Sequence, residues 1–152
     1  MVDVRRQSPM HFAGGDRIVK FHHVGIVVED IHQYFTDHFA GELDAGQLIG
    51  PVFDPNQNSY TAMVHVESES GLELVSPAGD GSPVSGKLVE GGGLHHICYE
   101  VKSLETALAN GRERGMIPVT QPKPAALFEG RQVAFMYSAH AGLIEFLEAS
   151  GR

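Results

Sequence analysis

The sequence predicts an α+β fold built from two tandem copies of one module, each reading strand, helix, then further strands. Three observations carry this. His22-His23-Val24-Gly25-Ile26-Val27-Val28-Glu29-Asp30-Ile31 is echoed 73 residues later by His95-His96-Ile97-Cys98-Tyr99-Glu100-Val101-Lys102-Ser103-Leu104. Leu72-Glu73-Leu74-Val75 is echoed 72 residues later by Ile144-Glu145-Phe146-Leu147. Between them, the short apolar runs 60–64 and 133–137 line up in the same order. Three matched segments in one order mark an internal duplication, which is best sought before any single motif. The modules cover about residues 20–78 and 93–148, joined by a linker at 79–92 within one domain of residues 18–150.

The elements follow in chain order. Residues 1–17 carry no periodic pattern and read as a loose arm. Val24 to Val28 is β-branched and apolar, as a strand requires. Asp30 is a suitable N-cap for a helix whose apolar face is Ile31, Tyr34, Phe35 and Phe39. A strand is expected near Leu48, then Tyr60 to Glu67 and Leu72 to Val75, joined by a turn at Ser68-Glu69-Ser70-Gly71. In the linker, Ser82-Pro83 has the cap-then-proline signature of a short helix running to Glu90. Gly91-Gly92-Gly93 leads into a strand and not a helix N-terminus, so it reads as a flexible joint and not a phosphate cradle. The second copy repeats the order. Ile97 to Val101 is a strand, and Ser103 caps a helix bearing Leu104, Ala107, Leu108 and Gly111, with Gly115 at its end. A strand is expected around Val119, and the proline-rich stretch 118–130 forms a structured loop or flap. Gln132 to Ser138 and Leu143 to Glu148 close the module across a turn at Ala139-His140-Ala141-Gly142.

Composition narrows the function. A chain of 152 residues, 42% hydrophobic and 20% charged, has an ordinary globular make-up and is long enough to fold without disulfides. Asp+Glu 19 against Lys+Arg 11 gives a net charge of −8, which argues against nucleic acid as a partner. The single cysteine, Cys98, excludes an internal disulfide and a Cys-rich zinc site and fits a reducing, cytoplasmic setting. No apolar run approaches the roughly 18 residues that span a bilayer, so no membrane association is expected. Arg5-Arg6 is followed by polar residues and not by the apolar stretch of an export signal. Nine histidines are the unusual feature.

The duplication explains where some of them sit. Each module supplies one histidine at the start of its first strand and one glutamate in its last: His23 with Glu73, and His96 with Glu145. Pairing about a pseudo-twofold axis would bring all four to one point. Two neutral imidazoles and two carboxylates bind a divalent first-row metal well. A lone strand histidine or a lone glutamate is usually structural or solvated, but four in register favour a metal. Glu73 lies among Leu72, Leu74 and Val75, and Glu145 among Leu143, Ile144 and Phe146. An unpartnered carboxylate would be costly in such apolar strands, so a cation is the simplest partner. Strand alternation puts His23 and His96 on the cavity face and sends His22 and His95 to the opposite one, as buried structural residues or as donors behind the ligands.

This arrangement resembles the vicinal oxygen chelate superfamily, which includes glyoxalase I, extradiol dioxygenases and fosfomycin-resistance enzymes. The resemblance covers roughly residues 20–148. Within the superfamily, residues 93–101, Glu73-Leu74-Val75-Ser76-Pro77, Asp80-Gly81-Ser82-Pro83-Val84 and Val133-Ala134-Phe135-Met136 with Leu143-Ile144-Glu145 are most similar to methylmalonyl-CoA epimerases. It implies two βαβββ modules forming an eight-stranded open, barrel-like sheet around one divalent ion (Co, Zn, Ni, Mn or Fe) held by His23, Glu73, His96 and Glu145. It also implies a homodimer and a small-molecule substrate such as an acyl-CoA.

The reaction so implied removes a proton α to a carbonyl, which requires a base within hydrogen-bond reach. Glu145 is the leading candidate, with Glu73 or Glu100 as the second proton-transfer group. For Glu100 a solvated or structural carboxylate is the stronger reading. Cys98 shares its face and reads as a small packing residue. Tyr60 and His65 are candidate hydrogen-bond partners, and Arg131, Lys123 and Arg112 candidate contacts for an anionic substrate or a CoA phosphate. For all five, core or surface roles are the default. One departure stands out. Some bacterial epimerases place an additional basic glutamate on a mid-module strand, whereas Ser59-Tyr60-Thr61-Ala62-Met63 holds no carboxylate. Residues 53–58 and 121–131 look more like a bordering group of glyoxalase-like proteins with varied substrates. The alternatives are therefore a glyoxalase I-like lyase or another metal enzyme of the superfamily, and a non-catalytic small-molecule binding or resistance protein. A dioxygenase fits less well, because redox iron sites use two histidines and one carboxylate.

Overall fold

The computed structural model describes residues 19–65 and 71–151. The expected arm at 1–17 and the turn residues Ser68, Glu69 and Ser70 lie outside them. In chain order the elements are β1 (Val19–Val27), α1 (Ile31–Phe39), β2 (Leu48–Asp54), β3 (Ser59–His65), β4 (Gly71–Pro77), α2 (Ser85–Val89), β5 (Gly93–Val101), α3 (Leu104–Glu113), β6 (Ile117–Pro118), β7 (Lys123–Pro124), β8 (Gln132–Ser138) and β9 (Gly142–Glu148). The strands form one mixed sheet in the order β2-β3-β4-β1-β5-β9-β8-β6, with β7 also paired to β8.

The duplication is visible in the pairing. β1 runs parallel to β4, as β5 does to β9, and the two modules join through the antiparallel pair β1–β5. The helix starts obey their caps: Asp30 accepts from the Gln33 amide at 2.8 Å and Ser103 from the Thr106 amide at 3.2 Å. Two expectations are corrected. The linker helix begins at Ser85, because the Ser82 hydroxyl faces Ser59 Oγ at 3.2 Å and does not cap it. The strand around Val119 is split into the two short pieces β6 and β7, since Pro118, Pro122 and Pro124 have no N–H to extend a ladder.

Strand alternation sorts the core. Ala62, Val64 and Leu74 pack with Val28 and Ile31 beneath α1, while Ala134, Met136, Ile144 and Phe146 pack with Leu104 and Leu108 beneath α3. Residues of opposite parity, including Glu73 and Glu145, face away from the helices. No helix among the described residues is long and apolar enough to cross a membrane.

Candidate metal centre

On that second face the duplicated residues converge. The ligand atoms of His23 (β1), Glu73 (β4), His96 (β5) and Glu145 (β9) all lie within 4.8 Å of one another, and all four residues are buried. His23 Nε2 stands 2.7 Å from Glu73 Oε2, 3.2 Å from Glu145 Oε1 and 3.1 Å from His96 Nε2. His96 Nε2 is 3.9 Å and 3.7 Å from the same two oxygens.

Small residues make the convergence possible. Gly25 is the register partner of His96, and a Cβ built on it would lie 2.1 Å from His96 Cε1, inside the imidazole's place. In the other module Cys98, register partner of His23, holds the equivalent position with its side chain fully buried. Aromatic rings wall the site. Phe128 stacks on His23 with centroids 5.4 Å apart, and Phe135 meets His96 edge-on at 5.3 Å. Phe128 ends a 3-10 turn (Ala126–Phe128) in the proline-rich flap, and Asp54 Oδ2 anchors that turn by accepting from the Ala126 amide at 3.1 Å.

The histidines preceding the ligands depart from simple alternation. The β1–β5 register slips between Phe21 and His23, and again between Gly25 and Ile26 opposite His96 and Leu94. His22 and His95 are thus the extra residues of two β-bulges at equivalent places, and a bulge re-aims its side chain. Neither joins the packing under the helices. His22 Nδ1 lies 2.7 Å from His23 Nδ1, and His95 Nδ1 lies 2.8 Å from His96 Nδ1.

Burial and the paired carboxylates set the electrostatics of the cluster. Burial pulls His23 down, but Glu73 and Glu145 outweigh it and hold its pKa up at about 9. His96 is taken down to about 3, chiefly by burial, against the upward pull of Glu73 and with smaller downward contributions from His23 and His95. Burial, helped by His23, likewise lowers His22 to about 4. Glu73 Oε2 and Glu145 Oε1 are buried without a well-formed hydrogen bond, although both lie near His23 Nε2. Buried oxygens of this kind need a partner. The donor set fits a divalent cation, because two carboxylates would balance its charge and two imidazoles would offer nitrogen lone pairs once the cation displaces the His23 proton. Tetrahedral ligands roughly 2.0–2.2 Å from a shared ion stand about 3.3–3.6 Å apart, and the separations here, from 2.7 Å to 3.9 Å, bracket that range. A second grouping, His22, His23 and Cys98, also lies within 4.8 Å. Burial, reinforced by Glu145, pushes the Cys98 thiol well up, and this grouping contains no carboxylate to offset a cation's charge.

The other sequence candidates are dispersed. Glu100 Oε2 accepts from Arg131 at 2.9 Å in a partly exposed ion pair. His65 and Arg131 line a cavity of about 230 Å³ beside His22, Met63 and Phe128, next to the cluster. Tyr60 is exposed against Phe53, Arg112 lies in a groove by α3, and Lys123 sits on β7. A larger groove of about 960 Å³ runs along α1 past Tyr34, His38 and Leu94 and includes none of the four clustered residues. Phe128 and Asp54 were not singled out by sequence reasoning, and nothing local marks them. Gly25 had a signal, since both copies place a small residue two positions after the ligand histidine.

The chain is similar to known proteins in sequence and in fold. The sequence pattern of the glyoxalase/bleomycin resistance protein/dioxygenase superfamily matches residues 22–135. An ethylmalonyl-CoA/methylmalonyl-CoA epimerase of Cereibacter sphaeroides is 29% identical over 122 residues, covering 79% of this chain and 89% of that one. Among solved structures, a hypothetical protein of Bacillus halodurans superposes with a TM-score of 0.75 at 32% identity, over 88% of this chain and 96% of the other. A Streptomyces coelicolor methylmalonyl-CoA epimerase variant in complex with 2-nitronate-propionyl-CoA gives 0.74 at 21% identity, over 88% and 99%. At that identity the likeness speaks to the fold.

Proposed function

The chain belongs to the glyoxalase/bleomycin resistance protein/dioxygenase superfamily, and from that premise we propose that it is a metal-dependent epimerase of the methylmalonyl-CoA type, with residues 18–150 as its catalytic domain. The observation that carries this reading is the pair of buried glutamate oxygens left without well-formed hydrogen bonds beside two imidazole nitrogens. His23, Glu73, His96 and Glu145 would hold one divalent ion of the Co, Zn, Ni, Mn or Fe class. When bound, such an ion supplies Lewis-acid polarisation of a carbonyl oxygen.

The protein's residues do the rest. Epimerisation needs one group to take a proton from the α-carbon and one to return it on the other face. Glu145 and Glu73 come from different modules and both reach the cluster, and we assign them these roles. Glu100 is committed to Arg131 and is assigned to holding that guanidinium. Phe128 and Phe135, packed against the imidazoles of His23 and His96, would limit the access of water to a substrate held there. An acyl-CoA substrate is supported by the relative's name, and a homodimer by the family resemblance. A cytoplasmic setting is supported by the free thiol of Cys98.

The test is deuterium incorporation at the α-carbon of methylmalonyl-CoA in D2O, followed by NMR with and without chelator. Exchange is expected with wild type, with a loss of about 10²–10⁴-fold in Glu145→Gln and abolition on chelation. No exchange by wild type sinks the epimerase reading and leaves the metal site standing. The missing carboxylate at residues 59–63 favours one second reading, a glyoxalase-like lyase. Moving a proton between adjacent carbons needs only a single base, and turnover of a glutathione hemithioacetal would support it.

A further inference from the structure

The two β-bulges place a histidine behind each ligand histidine, and the metal reading gives these residues a task. Nitrogen atoms 2.7 Å and 2.8 Å apart share one proton, since two lone pairs or two N–H groups would repel at that distance. If the proton sits on Nδ1 of His22, then His23 is a Nδ1 acceptor and in its neutral form carries its own proton on Nε2, facing Glu73 and Glu145. If it sits on Nδ1 of His23, the Nε2 lone pair is free for a cation. The same choice holds for His95 and His96. A neutral imidazole has one donor and one acceptor nitrogen, so the partner of one atom sets the role of the other.

We propose that His22 and His95 are positioning residues: each accepts the Nδ1–H of the following histidine and thereby presents His23 Nε2 and His96 Nε2 as lone pairs to the metal. This rests on the metal reading above. The same device occurs twice at equivalent bulges, so it belongs to the module and not to one accidental contact. The surroundings favour it. His22 packs edge-on against Phe128 at 5.3 Å and His95 lies beside Phe135 at 6.4 Å, so each ring is held in place by an aromatic neighbour.

The experiment compares His22→Leu and His95→Leu with His22→Asn and His95→Asn in the full chain. Leucine fills similar space with no acceptor, whereas asparagine places Oδ1 where the imidazole Nδ1 stood. Co(II) affinity is read by competition with a chelating dye, and ligation by the visible d–d spectrum. Each Leu variant is expected to bind Co(II) about 10–100-fold more weakly with an altered spectrum, and each Asn variant to stay within about threefold of wild type. Leu variants with wild-type affinity overturn the proposal. Asn variants as weak as Leu also overturn it, because the role would then be packing alone. Should the Leu variants not fold, long-range ¹H–¹⁵N spectra of the Zn(II)-loaded wild type decide: protonated Nδ1 on His23 and His96 supports the proposal, and unprotonated Nδ1 overturns it. A wild-type chain that takes up no Co(II) would instead defeat the metal reading itself, and this proposal with it.

Discussion

Gly25 and Cys98 occupy matching places in the two modules, and each lies opposite the ligand histidine contributed by the other module. At Gly25 the imidazole of His96 occupies the space a Cβ would need. The ring tip can swing aside, so Gly25→Ala should leave the fold intact while displacing a ligand. Metal content per chain by elemental analysis is expected to fall well below that of wild type, with an unchanged circular dichroism spectrum. Full metal content would show that His96 is not needed where it stands. The convergence of both His/Glu pairs was legible from the repeat, because a duplicated His and Glu in apolar strands is hard to explain as packing. The direction of His22 and His95 was not. Alternation assumes an unbroken ladder, and a bulge is a property of two strands together, so neither strand's sequence reveals it.

Among the elements, the flap depends on one buried carboxylate. Asp54, 1% exposed at the end of β2, accepts from the amides of Asn56 at 2.9 Å and Gln57 at 3.3 Å, as well as from Ala126. Asn56 Nδ2 adds a bond to the Pro124 carbonyl at 2.9 Å. Asp54→Ala should cost about 1–3 kcal/mol, since three part-buried backbone amides lose the acceptor they share. It should also speed hydrogen exchange at the Ala126 amide more than at amides of β9, while uniform acceleration would mean global loosening instead of release of the flap. The two long helices were legible because Asp30 and Ser103 cap them as local chemistry dictates. Ser103→Ala is therefore expected to cost about 1 kcal/mol in chemical denaturation. The start of α2 and the broken strand near Val119 were less legible. Ser82 chose a tertiary partner over its capping role, and the three prolines limited how far a strand could extend.

For the whole molecule, the proposed metal cluster is also the junction of the modules, because its four residues lie on four adjacent strands of one sheet, β4-β1-β5-β9. A cation bound there ties both halves together and stabilises the native state by mass action. At 100 times its dissociation constant this amounts to about 2.7 kcal/mol, or a melting shift of roughly 5–10 °C for a chain of this size. Chelation should therefore lower the Tm of wild type by about that amount and leave Glu145→Gln nearly unmoved. Equal shifts in both would place the chelator's effect elsewhere.

The sequence by itself determined the duplication, the positions of α1 and α3, the acidic charge and the four residues able to bind a cation. Each of these is a matter of residue type and spacing along one chain. Only the tertiary structure decided that β1 and β5 pair across the modules, that Gly25 and Cys98 make room for the opposing imidazoles, and that Glu100 is held by Arg131. It also turned His22 and His95 toward the ligands through their bulges. These outcomes depend on how two strands meet, and that register is set by the whole sheet and not by either strand alone.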